Sequence, residues 1–218
     1  MRLYDYEASP NCYKVRLLLG ELGLEYERVP VDIFAGETMT GEYAAKNPAL
    51  TTPVLELSPG EYLPESAAIL LYLAEDSALL PAGRTARAQI YRWLFFEQSA
   101  IVPTLGRLRF QLMTGRLAPD SDEFQRQKRV AMGPTGVVEG HLGERSFLVG
   151  DDFTVADIGV YGYLHVAHEA DLEMDQFPNV LAWLERVRSR PRHVADLAPY
   201  PENTSPGVSR SIWDAIDL

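Results

Sequence analysis

Ser9, Asn11 and Cys12 stand in the run Ser9-Pro10-Asn11-Cys12-Tyr13-Lys14-Val15-Arg16, between segments of opposite periodicity. Leu3-Tyr4-Asp5-Tyr6 alternates and reads as a strand, while Val15, Leu18, Leu19 and Leu22 fall at i, i+3, i+4 and i+7 and read as one helical face. A Ser, a Pro and an Asn therefore occupy a strand-to-helix turn, where backbone N–H groups lack intrahelical partners and the helix dipole is positive. Such a place suits an anion, and a thiolate is an anion. Ser and Asn also make turns and cap helices with no further role.

Other reactive residue types are few. Cys12 is the one cysteine of the chain, which excludes an intrachain disulfide framework and a cysteine zinc cluster. A lone cysteine on a core helix reads as packing. His165 and His168 stand at i and i+3 beside Glu169, but no HExxH pattern and no third ligand accompany them, so no metal is expected. Arg16 is expected to pair with a core carboxylate.

These residues need a scaffold, and 218 residues suffice for one large domain or two small ones. The 46% apolar and 23% charged content fits a water-soluble globular chain. No apolar run is long enough to span a membrane, and Asp5 and Glu7 interrupt the start, so no signal region or membrane partner is expected. Single-cysteine usage favours a reducing, cytoplasmic setting. The net charge of −11 disfavours nucleic acid as a partner, because phosphate binding needs a basic face.

Strand and helix signals alternate in the first part of the chain. Leu3–Tyr6 is a strand and Asn11–Leu22 a helix closed by Gly23; Tyr26–Val31 is a second strand. Phe34–Lys46 holds a short helix broken by Gly36 and Gly41. Pro53–Leu57 and Tyr62–Leu63 form a hairpin around Ser58-Pro59-Gly60. Ser66 reads as the N-cap of a helix over Ala67–Glu75. Leu79-Leu80-Pro81-Ala82-Gly83 reads as a linker, and everything after it is helical. Ala86–Phe96 leads toward Pro103, expected inside the helix or at a kink. Leu117–Asp122 is a loop, and Gln125–Leu142 is a helix with a break expected at Gly133-Pro134. Thr154-Val155-Ala156-Asp157 is a capping-box variant opening Ile158–Ala167, and Pro178–Arg188 is a further helix. The fold class expected is α+β, with a βαβ-ββα domain followed by an all-α domain.

The turn Ser9-Pro10-Asn11-Cys12 resembles the Cys-Pro-x-Cys turn of thioredoxin-like redox proteins, with Ser9 at the attacking position. The chain cannot run a two-cysteine cycle, so the resemblance implies a thiol supplied by a ligand and held by the Ser9 hydroxyl. Three further stretches extend the likeness: Asn47-Pro48-Ala49-Leu50-Thr51-Thr52-Pro53-Val54-Leu55, the pair Glu65-Ser66 at a helix start, and Gly150-Asp151-Asp152-Phe153-Thr154-Val155-Ala156-Asp157-Ile158. Together they resemble the cytosolic glutathione S-transferase superfamily, and its bacterial zeta- and nu-like members in particular, over nearly the whole chain.

That resemblance implies a thioredoxin-like glutathione-binding domain over 1–76, a linker over 77–84, an all-helical domain over 85–198 and a tail over 199–218. It implies that Ser9 and Asn11 hold the glutathione sulfur. Thr52 before a cis Pro53 would pair with the cysteinyl backbone, and Glu65 and Ser66 would hold the γ-glutamyl end. Phe96, Arg109 and Phe110 would line a hydrophobic co-substrate pocket, while Thr154 and Asp157 would be structural. The implied partners are glutathione as co-substrate, with no metal, and a hydrophobic electrophile or a disulfide. The implied assembly is a homodimer. The activity would be a glutathione transferase of detoxification type; the alternatives are a nu-like glutathione-dependent disulfide-bond oxidoreductase or peroxidase, and a non-catalytic binding or stress protein. Where bacterial relatives carry a His or Lys for the glycyl carboxylate, this chain reads Thr38-Met39-Thr40, a loss of roughly 1–3 kcal/mol for a charge-assisted contact that Lys46 or Arg107 would have to replace. The tail is expected to fold against the helical domain.

Overall fold

The computed structural model describes residues 1–201 and 204. The chain divides into two units: Met1–Leu73 joined by the chain from Val194 on, and Ala74–His193.

The first unit is built on a mixed sheet of β1 (Arg2–Asp5), β2 (Glu27–Pro30), β3 (Val54–Ser58) and β4 (Glu61–Pro64) in the order β2-β1-β3-β4. β1 runs parallel to β2 and antiparallel to β3, and β3 pairs antiparallel with β4. The period-2 alternation sorts the side chains onto two faces. Leu3 and Leu55 join Val15 and Leu19 of α1 (Pro10–Leu22) and Ile69 of α3 (Ser66–Ala74) in one buried cluster. Tyr4 and Val54, on the other face, pack with Val31 and with Tyr43 of the single helical turn α2 (Gly41–Ala44). Both clusters are fully formed from apolar side chains, so the sheet is held from both sides.

Local chemistry sets the helix ends. Ser9 is the N-cap of α1, its Oγ accepting from the Cys12 N–H, and Pro10 takes the first helical position, where its missing donor is harmless. Gly23 closes α1 at φ 66°, a left-handed conformation that favours glycine. Thr40 caps α2 through its Oγ, 3.2 Å from the Tyr43 N–H. The loop before it holds a 3-10 turn over Glu37–Met39.

The second unit contains α4 (Arg84–Phe96), α5 (Arg107–Met113), α6 (Asp122–Leu142), α7 (Val155–Leu164) and α8 (Pro178–Arg188). A π-helical stretch, Glu97–Gly106, joins α4 to α5 without a break. Pro103 lies inside it and does not end the helix; the carbonyls of Ala100 and Ile101 accept the Thr104 hydroxyl at 2.5 and 3.4 Å. The break expected at Gly133-Pro134 is absent. Phe124, Ala131, Thr135, Val138 and Leu142 are buried along one face of α6, and that packing carries the helix through. Val130, whose carbonyl loses its helical donor at Pro134, is an exposed residue.

Asp157 is the buried hub of this unit. Its carboxylate accepts from Leu148 N–H (2.9 Å), Thr154 N–H (2.9 Å), the Thr154 hydroxyl (3.2 Å) and the Trp183 indole (3.0 Å). Burial raises its pKa, and these hydrogen bonds oppose the rise. Leu148 O in turn accepts the Trp93 indole at 3.0 Å and pairs with His141 Nε2 at 2.9 Å. The Thr154–Asp157 stretch thus ties three segments by hydrogen bonds that leave few buried donors unmet.

Past α8 the chain returns to the first unit. Tyr200, in the expected tail, packs its ring near Tyr6 and Phe34 (centroids 6.3 and 6.5 Å) and belongs to the first unit; residues 202, 203 and 205–218 lie outside the described residues. Among the described residues no helix is long and apolar enough to cross a membrane.

Candidate functional site

Strand register gathers the candidate residues at one end of the sheet. Tyr4 pairs with Val54, and Val54 with Pro64, so the end of β1, the start of β3 and the end of β4 lie in one row. The Ser9 turn leaves the first, Thr52-Pro53 enters the second, and Glu65-Ser66 leaves the third. Three segments far apart in sequence thereby border the same edge.

Ser9 is half-buried, its N–H donating to the Tyr6 carbonyl at 3.0 Å. Asn11 is also half-buried, and its Oδ1 lies away from solvent without a hydrogen-bond partner. A polar atom in that state is costly, and a ligand donor would relieve it.

Cys12 is fully buried beside Ser9 and Thr52. Burial, seconded by the nearby Asp5 carboxylate, pushes its thiol up to about 12; the Thr52 hydroxyl, the Tyr6 N–H and the Ser9 hydroxyl oppose this. At neutral pH the Cys12 sulfur is therefore a protonated packing atom, as its position on a core helix suggests. The Thr52 hydroxyl on the Cys12 sulfur is a contact that sequence reasoning missed, since it considered only the Thr52 backbone. The Thr52–Pro53 peptide bond is cis.

Glu65 is exposed and sits at φ 72°, unusual for a residue with a side chain. Its carbonyl accepts the Ile69 N–H at 2.9 Å, so Glu65 rather than Ser66 caps α3, and Ser66, buried, is the first helical residue. The one-residue shift arises because the left-handed turn at Glu65 lets its carbonyl start the helical ladder.

Thr38 is fully buried with its Oγ unpartnered, and Thr40 is engaged in capping, so neither presents an open contact on the loop. Lys46 turns its ammonium to the Glu42 carboxylate (2.8 Å) and lies 5.5 and 5.9 Å from the Tyr4 and Tyr62 ring centres. Arg107 lies in the second unit, at the start of α5.

Phe96, Arg109 and Phe110 also belong to the second unit. Phe96 is half-buried with its ring edge on Trp93 at 5.5 Å. Arg109 is buried, its Nε and Nη2 each 2.6 Å from the Glu169 carboxylate. Phe110 is half-buried beneath the Arg116 guanidinium, 5.4 Å away. His165 stacks on Tyr161 at 4.8 Å and donates from Nδ1 to the Tyr161 carbonyl at 2.8 Å. Among the described residues no group of three or more His, Cys, Asp or Glu side chains is placed to hold a metal.

Arg16 pairs with the core carboxylate of Asp5 as expected, Nη1 lying 2.6 Å from its Oδ1, and also with the part-exposed Asp196, whose Oδ1 is 2.9 Å from Nε. Arg28 shares Asp5 through its other oxygen. Asp196 gave no local signal, being separated from its partner by nearly the whole chain.

The family model for the glutathione S-transferase N-terminal domain matches residues 3–81, and that for the C-terminal domain matches residues 96–191. Glutathione S-transferase 3 of Zea mays is 33% identical over 221 residues, spanning 96% of this chain and 98% of that one. A crystal structure of a glutathione S-transferase from Pseudomonas fluorescens Pf-5 is 39% identical and covers 90% of this chain and 98% of its own, with a TM-score of 0.87. A glutathione transferase family member from Pseudomonas fluorescens Pf-5, crystallised with two glutathione bound, is 31% identical over 88% of this chain and 89% of its own, with a TM-score of 0.77. A thioredoxin-like sheet followed by an all-helical unit, matched along most of its length by both family models, makes this chain a member of the cytosolic glutathione S-transferase superfamily.

Proposed function

We propose that this chain is a glutathione transferase in which the thiolate of bound glutathione attacks a hydrophobic electrophile. The observation that carries the reading is the convergence of the Ser9 turn, Thr52-Pro53 and Glu65-Ser66 on one end of the sheet. Glutathione lies along that edge. Its cysteinyl backbone pairs with the Thr52 backbone as an added strand. Its γ-glutamyl ammonium meets Glu65, and its carboxylate meets Ser66 and the start of α3.

The sulfur rests at the start of α1. The Ser9 hydroxyl, the Asn11 amide and the positive end of the helix dipole each favour the ionised thiol. With Cys12 protonated, the nucleophile is the ligand's own sulfur. The thiol proton passes to solvent; the thiolate forms a bond to the electrophilic carbon, and the leaving group departs with its electron pair. Little general-base work is needed once the thiol pKa is lowered. The helical unit holds the electrophile, with Phe96, Arg109 and Phe110 assigned to its pocket, and the protein acts in the cytoplasm as a homodimer.

A second reading draws on Asn11 and on the relative solved with two glutathione molecules. In it, the thiolate attacks a disulfide sulfur, the S–S bond breaks and releases one thiolate, and a second glutathione resolves the mixed disulfide as oxidised glutathione.

Calorimetric titration of wild type and Ser9→Ala with reduced and oxidised glutathione tests the site. Wild type is expected to bind, and the variant to raise the bound thiol pKa by about 1–2 units and lower turnover roughly 10- to 100-fold, the scale of one hydrogen bond to a charge. No binding of either form in the wild type overturns the proposal. Product analysis separates the readings: thioether conjugates support transfer, and oxidised glutathione supports disulfide reduction.

A further inference from the structure

The turn that carries Ser9 is held from outside by the chain that returns after α8. The Glu7 carbonyl, two residues before Ser9, accepts Arg16 Nη2 at 3.1 Å and the Ala198 N–H at 3.3 Å. Arg16 is fully buried, and its Nε meets both carboxylate oxygens of Asp196 at 2.9 and 3.0 Å. Its Nη2 also reaches the Asp196 carbonyl at 3.4 Å, and its Nη1 is taken by Asp5. The Tyr13 hydroxyl, also on α1, donates to the Val194 carbonyl at 2.7 Å. Tyr6, whose carbonyl receives the Ser9 N–H, lies between Phe34 and Tyr200, with ring centroids 5.9 and 6.3 Å away.

We infer that Asp196 is a positioning residue for the Ser9 turn. It acts through Arg16, whose planar fork joins the end of β1, the Glu7 carbonyl and the returning segment in one rigid set of contacts. The turn over residues 6–9 is closed locally by the Ser9 N–H on the Tyr6 carbonyl and the Cys12 N–H on Ser9 Oγ, and the outside anchors add a second set of contacts that fix where that turn sits at the start of α1. Asp196 is half-buried, with 36% of its side chain exposed, so it can be exchanged without opening a cavity. The catalytic part of this inference rests on the glutathione reading above; the mechanical part does not.

Cys12 supplies a reporter independent of any ligand. It is the only cysteine, its N–H donates to Ser9 Oγ, and its sulfur accepts the Tyr6 N–H. In Asp196→Asn, Cys12 is expected to react with 4,4′-dithiodipyridine at least ten-fold faster under native conditions, its sulfur displacing thiopyridone from the aromatic disulfide. Asp196→Glu is expected to restore most of the protection. Gly106→Ala, in the other unit, controls for general destabilisation and should leave the labelling rate near that of wild type.

With glutathione, Asp196→Asn should lower kcat about ten-fold and move the pH profile upward, with KM for glutathione within two-fold of wild type. Labelling of Asp196→Asn at the wild-type rate overturns the positioning role. Faster labelling with an unchanged pH profile overturns its catalytic consequence. If wild type binds no glutathione, the functional reading fails, and the labelling comparison still decides the positioning role.

Discussion

The carbonyl of Glu65, whose backbone sits at φ 72°, accepts the Ile69 N–H at 2.9 Å and so starts α3 from a left-handed residue. A side-chain-bearing residue held there costs about 1 kcal/mol or more, and such strain gathers at functional positions. Glu65→Gly is therefore expected to raise stability by roughly 0.5–1 kcal/mol while weakening glutathione binding through loss of the carboxylate. Glu65→Gln, which keeps the strain, should lose binding with no gain in stability. Chemical denaturation and calorimetry on the two variants check this opposition.

Asp157 satisfies donors from Leu148, Thr154 and Trp183 in the second unit. Asp157→Ala strands those donors in the core and is expected to destabilise by about 3–5 kcal/mol, the scale of breaking a buried charge network. Urea denaturation measures the loss, and the near-ultraviolet signal of Trp183 should change in the native baseline.

Gly106 lies at the junction of the π-helical stretch and α5, where an added Cβ would come within 2.6 Å of Tyr163 Cε1. The ring is buried and has little room to withdraw. Gly106→Ala should destabilise by about 1–3 kcal/mol, an overpacking penalty. Tyr163→Leu in the same chain should recover part of it, which a double-mutant cycle reads as coupling.

His165 supplies a pH dependence. Burial, opposed by its hydrogen bond to the Tyr161 carbonyl and reinforced by Arg109, lowers its pKa from 6.5 to about 4. The folded state binds the proton less well than the unfolded state does. The stability His165 confers is thus complete above pH 6.5 and drains away as pH falls from 6.5 toward 4, by roughly 2–3 kcal/mol. Thermal unfolding of wild type and His165→Gln across that window should show the variant's curve flatter by about that amount.

The local pattern of this chain is largely readable. The i, i+3, i+4, i+7 spacing gives α1, Ser9 and Gly23 mark its ends, and alternation gives the sheet, because each signal acts through residues close in sequence. Reading failed where packing outweighed propensity. Gly133-Pro134 looks like a break, but the buried face of α6 overrides it; Pro103, by contrast, lies inside the helix as expected. Motifs identified the edge residues Thr52, Pro53, Glu65 and Ser66, yet neither the left-handed backbone of Glu65 nor the unpartnered hydroxyl of Thr38 has a sequence signature. The Asp196 side chain on Arg16 was likewise invisible, since 180 residues separate the two.

That separation orders events at the ribosome. The sheet and α1 emerge early, but the first unit remains unfinished until the segment bearing Val194, Asp196 and Ala198 has also been synthesised. Until then Arg16 has Asp5 but lacks Asp196, and the Glu7 carbonyl lacks the Ala198 N–H. Closing so long a loop is a late step entropically as well as temporally. A nascent chain arrested before Asp196 carries the Ser9 turn without these anchors, so the full set of contacts around that turn is acquired only once Ala198 has been made.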